Sequence, residues 1–292
     1  MASAELRQIR RRIRSVQSTM KITRAMELIA TARIPKATFR VTANQPYTQT
    51  MTDVIRNISA SSSGLKHPLL ERRDVETAGI VVVTSDRGLA GGYNTNVIRM
   101  AERHILDQRH QDRAVRLYTI GKKAESYFRY RRYQIERSWT GITDTPSYSD
   151  ARSIARVVLE AYENRSVDSA DLFTTKFVSA LTQTPILWPL LPIEPPDMSD
   201  VAATSSGYNF EPEPSEILDR LLPRFLVGSV FGVLLEASAS EHAARRRAMK
   251  AATENAEELT RALIREANQA RQAEVTTEIS EIVGGAEALT AG

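Results

Sequence analysis

The 292-residue chain contains no cysteine. That excludes disulfide bridges, thiolate metal sites and a cysteine nucleophile, and it suits a reducing compartment. Histidine is scarce: His67, His104, His110 and His242 are the only four, and no two stand at metal-ligand spacing. No apolar run approaches the ~20 residues that span a bilayer. The basic N-terminus, Met1 to Arg14, has neither the apolar core nor the cleavage site of a secretory signal. Three chemical signatures are also missing: the G-x-G-x-x-G dinucleotide fingerprint, the G-x-x-x-x-G-K-[ST] phosphate loop and the G-x-S-x-G nucleophile elbow.

What is present is an ordinary globular balance, 42% hydrophobic and 25% charged, which argues against general disorder. The net charge of +4 hides an asymmetry. Residues 1–40 hold ten Lys/Arg against Glu5 and Glu27, a surplus of 8 that exceeds that of the whole chain. Such a field attracts nucleic acid, anionic lipid or an acidic protein surface, and charge alone does not choose among them.

Three regions differ in hydrophobic period. Residues 3 to about 60 read as one long helix, with apolar or small residues three and four apart: Leu6, Ile9, Ile13, Val16, Met20, Thr23, then Ala30, Ile34, Ala37 and Val41. That narrow stripe is a coiled-coil seam. Glu27 interrupts it beside Met26, and Pro35 and Pro46 should kink the helix, because each removes a backbone donor. From about 75 to 195 the period changes. Strands are expected at 79–84, 114–120, 134–139, 171–179 and 185–191, and helices at 94–110, 121–132 and 147–163. The alternation predicts an α/β domain with a mostly parallel, Rossmann-like sheet. Residues 196–213, rich in Pro, Ser and Asp, read as a connecting loop.

From Pro214 the chain looks helical almost to its end, with no Gly or Pro between Gly232 and Gly284. At 1.5 Å per residue a helix over 214–283 reaches ~100 Å, too long for a compact domain to bury. Its expected seam is small: Ala237, Ser240, Ala244, Ala248, Ala252, Ala256, then Leu259, Leu263, Ala270 and Ala273. Two seam-patterned helices at the two ends of one chain most simply pair as an antiparallel coiled coil. The expected division is thus 1–60 and 214–292 as the two shaft helices, 75–195 as the α/β domain and 196–213 as the connection.

Candidate chemistry is sparse. Ser85-Asp-Arg-Gly-Leu-Ala-Gly-Gly-Tyr-Asn94 sits between a strand and a helix, where backbone amides can hold phosphate; its glycines also suit a tight turn. Glu257-Glu258 and Glu278/Glu281 read as solvated helix faces rather than acid/base pairs. Arg245-Arg-Arg-Ala-Met-Lys250 reads as a solvated basic face or as contact with an acidic partner. The aromatics that base stacking needs are missing from both basic helices, where Phe39 and Tyr47 are isolated. Three classes stay open on these residues: a mechanical subunit, an enzyme using the 85–94 loop, and a nucleic-acid-binding coiled coil.

Four motifs then carry a resemblance. Ile13-Arg-Ser-Val-Gln-Ser-Thr-Met-Lys-Ile-Thr-Arg-Ala-Met-Glu27, the 85–94 loop (with Ala90 in place of the usual Cys), Ala248-Met-Lys-Ala-Ala-Thr-Glu-Asn255 and Val275-Thr-Thr-Glu-Ile-Ser-Glu-Ile-Val-Gly-Gly-Ala286 stand in this order. Together they resemble signatures of the γ subunit of F-type rotary ATP synthases over nearly the whole chain. Pro35 departs from the residue usual at its position.

The resemblance implies a non-catalytic central-stalk rotor with no cofactor or metal, no small-molecule substrate and no nucleic-acid partner. Its implied partners are the α and β subunits of a catalytic ring, an ε subunit and a membrane c-ring; its implied place is peripheral, on the cytoplasmic face of a bacterial plasma membrane. Met26, Arg245, Gln272, Thr276, Glu278 and Glu281 match positions that meet β-subunit loops. Tyr208, Phe210 and Glu211 match the segment that meets the c-ring and ε.

Overall fold

The structure is a computed structural model that describes residues 4–61, 67–194 and 213–290. The loop residues Tyr208, Phe210 and Glu211 therefore lie outside the described residues. Two very long helices frame the chain: α1 (Ala4–Ser61) and, last in sequence, α5 (Pro214–Thr290). Between them come a single 3-10 turn (Pro68–Leu70), β1 (Thr77–Val83), α2 (Tyr93–His110), β2 (Ala114–Ile120), α3 (Lys122–Tyr130), β3 (Ile135–Trp139), α4 (Tyr148–Glu163), β4 (Ser169–Phe177) and β5 (Gln183–Leu191).

The strands form one sheet in the order β3-β2-β1-β4-β5. β3, β2, β1 and β4 are parallel, and β5 closes the edge antiparallel to β4. β1 shows why its residues make a central strand. It is β-branched and apolar on both faces, as a strand covered on two sides must be. Ile80 and Val82 point to one layer, with Val97, Ile98, Ala101 and Ile105 of α2 and Ala124 and Phe128 of α3. Val81 and Val83 point to the other, with Ile154 and Val158 of α4, Ile55 and Ile58 of α1, and Leu218, Leu222, Leu226 and Val230 of α5. Each fully buried Ile, Leu or Val contributes about 1.5–3 kcal/mol through area removed from water. α4 starts with a reciprocal capping box, Ser147 with Asp150, which also anchors the loop after β3.

By contact density the chain divides into two compact units, residues 30–245 and residues 1–29 with 246–292. In the first, Gly228 and Gly232 of α5 let that helix approach α1 closely: a Cβ on Gly228 would stand 3.0 Å from the Tyr47 ring, and one on Gly232 3.2 Å from the Asn44 amide. In the second, the two helices pair antiparallel through a buried Thr23–Thr253 hydroxyl contact of 2.8 Å. The α1 seam runs as its spacing predicts, with Leu6, Ile9 and Thr23 buried and Ile13, Val16 and Met20 half-buried.

Helix α1 continues through Pro35 and Pro46, its residues on both sides of each proline helical. Two expectations need correction. The α5 seam is Met249, Thr253, Ala256, Thr260 and Leu263, while Leu259 is 40% exposed and Ala273 is exposed. Threonine enters a seam because its hydroxyl bonds back one turn, Thr253 to the Met249 carbonyl and Thr260 to the Ala256 carbonyl, leaving the methyl to pack. Lastly, an 18-residue stretch of α5 reaches a mean hydropathy of 1.5, enough by length and composition to cross a membrane, but 56% of it is buried in this fold. Leu218, Leu222, Leu226, Val230, Val233, Leu234 and Ala237 explain it: they are core residues packed under the sheet.

Candidate functional site: the tip of the long helix and the joint at the strand ends

The sites the sequence singles out fall in two places. The first is the free end of α5. Seventeen residues back along α1 from Thr23 is Leu6, and seventeen on along α5 from Thr253 is Ala270. The described part of α1 therefore covers α5 only to about Gln272, and residues 275–286 of α5 are exposed throughout. Gln272, Thr276, Glu278 and Glu281 all stand exposed on this single-helix tip. At ~100° per residue, Gln272 and Thr276 share one side while Glu278 and Glu281 lie on the opposite side. Val275 (48% exposed), Ile279 and Ile282 (71%) add an apolar stripe on one flank between them, with Val283 beside Gln272 and Thr276, and no other described residue covers it. Met26 is half-buried, next to Glu27 of the α1 stripe.

The second place is the carboxyl end of the parallel strands. In an open α/β sheet, ligands bind where the strand order reverses, here between β1 and β4. In this chain α5 fills that crevice. Glu236 accepts the Phe177 N–H at 3.4 Å and Ser240 donates to the Thr175 carbonyl at 3.2 Å, both at the end of β4. The β1–α2 loop, residues 84–92, holds the other side. Tyr93 donates its hydroxyl to the Ala237 carbonyl at 3.1 Å and packs with Ala90 and Ala244. Arg245 donates to Glu241 at 2.7 Å and to the Gly88 carbonyl at 3.3 Å. The glycine-rich loop is thus a seat for a helix, and Arg245, which the resemblance places at a β-subunit loop, has its side chain only 12% exposed here.

A third loop completes the grip. Asp144, between β3 and α4, pairs with Arg33 of α1, accepts the Ser238 hydroxyl on its carbonyl at 2.9 Å, and lies 3.6 Å from His242. Asp86 ties the loops together: its carboxylate accepts the Lys122 N–H at 3.1 Å and the Thr143 hydroxyl at 3.0 Å. Burial pushes the Asp86 carboxyl up, but hydrogen bonds from Gly141, Thr143 and Lys122 outweigh it and hold it below the usual range. Burial raises Glu241, opposed by Arg245 and reinforced by Asp144 and Asp86. Burial also raises Glu236 and lowers His242.

The comparisons with known proteins decide the family. A family model described as ATP synthase matches residues 5–289. The ATP synthase gamma chain of Saccharopolyspora erythraea is 48% identical, with 98% of each chain covered, and that of Mycolicibacterium smegmatis 44%, again with 98% of each. The chain belongs to the ATP synthase γ family. The same fold appears in the Euglena gracilis mitochondrial ATP synthase at a TM-score of 0.69 and 19% identity, covering 99% of this chain and 95% of that one. A rotor structure of the same enzyme gives 0.68 at 16%, covering 93% of this chain and 99% of that one.

A pH prediction arises at this γ-family joint. His242 has a folded pKa below its ordinary 6.5, so its neutral form is favoured by folding. Its contribution to stability is complete above 6.5 and is lost as pH falls through the lowered value. Glu236 and Glu241 act oppositely: with folded values above 4.5, their contribution is present below 4.5 and is lost as pH rises through the raised values. Comparing melts of the full chain about one unit to either side of pH 6.5, His242→Asn should lose less stability on acidification than wild type. An equal loss in both would remove His242 from the account.

Proposed function

We propose that the chain is the non-catalytic central-stalk rotor of a bacterial ATP synthase. On this reading α1 and α5 form a shaft that turns within a ring of α and β subunits, and the α/β domain rides below, near ε and the c-ring. The division into shaft helices at 1–60 and 214–292, an α/β domain at 75–195 and a connection at 196–213 belongs to the same proposal. The subunit would sit peripherally at the cytoplasmic face of the plasma membrane and couple ion flow to ATP synthesis and hydrolysis at β.

The observation that carries the reading is the single-helix tip. A helix exposed over 275–286, with carboxylates on one side, amide and hydroxyl on the other and an apolar stripe between, presents a different chemistry in each direction. That asymmetry lets one rod bias several surrounding copies of a partner differently. Gln272, Thr276, Glu278 and Glu281 would meet β-subunit loops there, with Met26 on α1 further along the shaft. The exposed basic residues Arg7, Arg10, Arg11, Arg12 and Arg14 suit acidic surfaces lining the ring. Tyr208, Phe210 and Glu211 would face the c-ring and ε. Arg245 we assign to the joint instead, because its guanidinium is already engaged by Glu241 and Gly88.

The test is Met26→Lys in membranes carrying the assembled complex. A new ammonium at a β-facing position adds an ion pair at one rotor angle and not at the others. ATP hydrolysis should persist while ATP-driven proton pumping falls severalfold. Pumping equal to wild type at equal hydrolysis would reject the β-facing assignment.

A further inference from the structure

A helix that only rests on a sheet is held by apolar contacts, which are non-directional and let it roll about its own axis. Hydrogen bonds and ion pairs are directional and fix its angle. Along α5 the directional contacts concentrate in one short stretch. Glu236 and Ser240 bond the end of β4; Ala237 accepts from Tyr93 at the start of α2, and Arg245, paired with Glu241, bonds the β1–α2 loop; Ser238 and His242 face Asp144 of the β3–α4 loop. At ~100° per residue these positions fan over about two-thirds of the helix circumference. Residues 237–244 are buried without exception, eight in a row, which a helix packed on one face never achieves.

The cost of this arrangement is visible. Glu241 is 2% exposed and its Oε2 has no hydrogen-bond partner. A buried ion pair is weak evidence for stability, because desolvation offsets much of the attraction. What such a pair supplies is a single defined geometry, and this one stands at the last residue of the unit 30–245 on α5. An apolar pair would hold the helix equally close and leave it free to turn.

We propose that residues 236–245 of α5 form a torsional socket, in which Glu241 and Arg245 are positioning residues that lock the rotation angle of the shaft helix to the α/β domain. The proposal rests on the rotor reading above and deepens it: torque generated along the shaft reaches the domain through this collar of strand-end loops. Without the lock, α5 rolls against the strand ends, and part of each step is absorbed as twist.

The experiment uses the assembled complex in inverted membranes, reading ATP hydrolysis and ATP-driven proton pumping together. In Glu241→Gln/Arg245→Gln both charges are removed at nearly constant volume. Hydrolysis should persist while the ratio of pumping to hydrolysis falls severalfold. Arg245→Lys, which keeps the charge beside Glu241 but loses the planar reach to Gly88, should give an intermediate ratio and serves should the double variant fail to assemble. Ala90→Cys/Ala244→Cys added to the double variant then replaces the polar lock by a covalent one, without background because the chain has no cysteine. Closing that disulfide should restore the ratio, and reduction should lower it again; a fold merely damaged by the charge removal would not recover.

A wild-type ratio in the double variant or in Arg245→Lys overturns the socket, as does a closed disulfide that leaves the ratio low. Failure of the wild-type complex itself to pump would instead reject the rotor reading, so the two failures are distinguishable.

Discussion

Gly121→Ala should destabilise the folded chain by about 3 kcal/mol or more, because the added methyl has nowhere to go. Gly121 follows β2 at φ +92°, and a Cβ there would lie 2.3 Å from the Thr84 carbonyl oxygen, 2.7 Å from its carbon and 3.0 Å from the carbonyl carbon of Ser85. All three are backbone atoms, so no rotamer change relieves the clash. The neighbours cannot retreat cheaply either. Thr84 donates its N–H to the Ile120 carbonyl at 2.8 Å, its hydroxyl accepts the Ala124 N–H at 2.9 Å, and Gly121 donates to the Trp139 carbonyl at 2.8 Å.

These bonds stitch the ends of β1, β2 and β3 to the start of α3, and Ser85 opens the loop that seats α5. Overpacking typically costs 1–3 kcal/mol and the left-handed backbone roughly 1–2 more for a residue with a Cβ, so about 3 kcal/mol or more is expected. That is a large share of the roughly 5–15 kcal/mol that holds a domain folded. Gly141→Ala is the control: it has φ +82° but nothing within 4 Å of the added carbon, so only the backbone strain of about 1–2 kcal/mol should appear. Equal losses in chemical denaturation of the two variants would show that the close approach at Gly121 does not matter.

The fold was legible where period and residue type agree. The α1 seam could be read because its large members, Leu6, Ile9 and Ile34, stand out against charged neighbours, and those three are buried. β1 and β2 announce themselves as β-branched runs bounded by polar residues. The α5 seam was harder. In an Ala-rich helix every third or fourth residue is small, so Ala248 and Ala252 fit a stripe as well as Met249 and Thr253, and threonine does not look apolar until its hydroxyl is seen bonded to the turn before it.

The joint was least legible. Arg245 opens a run of three arginines that looks like a solvated face, and Glu241 looks like any surface acid. Their burial follows from the loops after β1 and β3 and the end of β4, which are far apart in sequence and meet only through the sheet order. The glycine-rich loop stays ambiguous in sequence for the same reason: a strand-to-helix turn at the switch point of an α/β sheet looks alike whether a phosphate or a helix fills the crevice. The tip residues Gln272, Thr276, Glu278 and Glu281 came from resemblance alone, and their exposure became intelligible only once the α1–α5 register showed where the covering helix ends.

The second large effect concerns rotation. A cysteine placed on α5 can be joined to one engineered into the surrounding ring, and the position decides what the tether tests. Ala256 is unsuitable, because it is buried in the seam at 8% exposure; Asn255 beside it is exposed, on the part of α5 that α1 covers. Ala286 is exposed on the single-helix tip, beyond Gly284 and Gly285, where a Cβ added to either would meet no packed neighbour within 4 Å. Each glycine costs up to ~1 kcal/mol of helix stability relative to alanine, so the last turns can unwind and act as a swivel while the rest of the shaft turns. A tether at Ala286 should therefore slow hydrolysis modestly. One at Asn255 has no such relief, since the helix below it is paired and further down is held in the collar at 236–245.

The decisive measurement is multi-turnover ATP hydrolysis by the assembled complex with a disulfide closed between Asn255→Cys and the ring, then reopened by reductant. If the chain is a rotor, closure should stop steady-state turnover while ATP binding to the ring persists, and reduction should restore the original rate. Full hydrolysis with the Asn255 tether closed would contradict rotation of the shaft and with it the central claim.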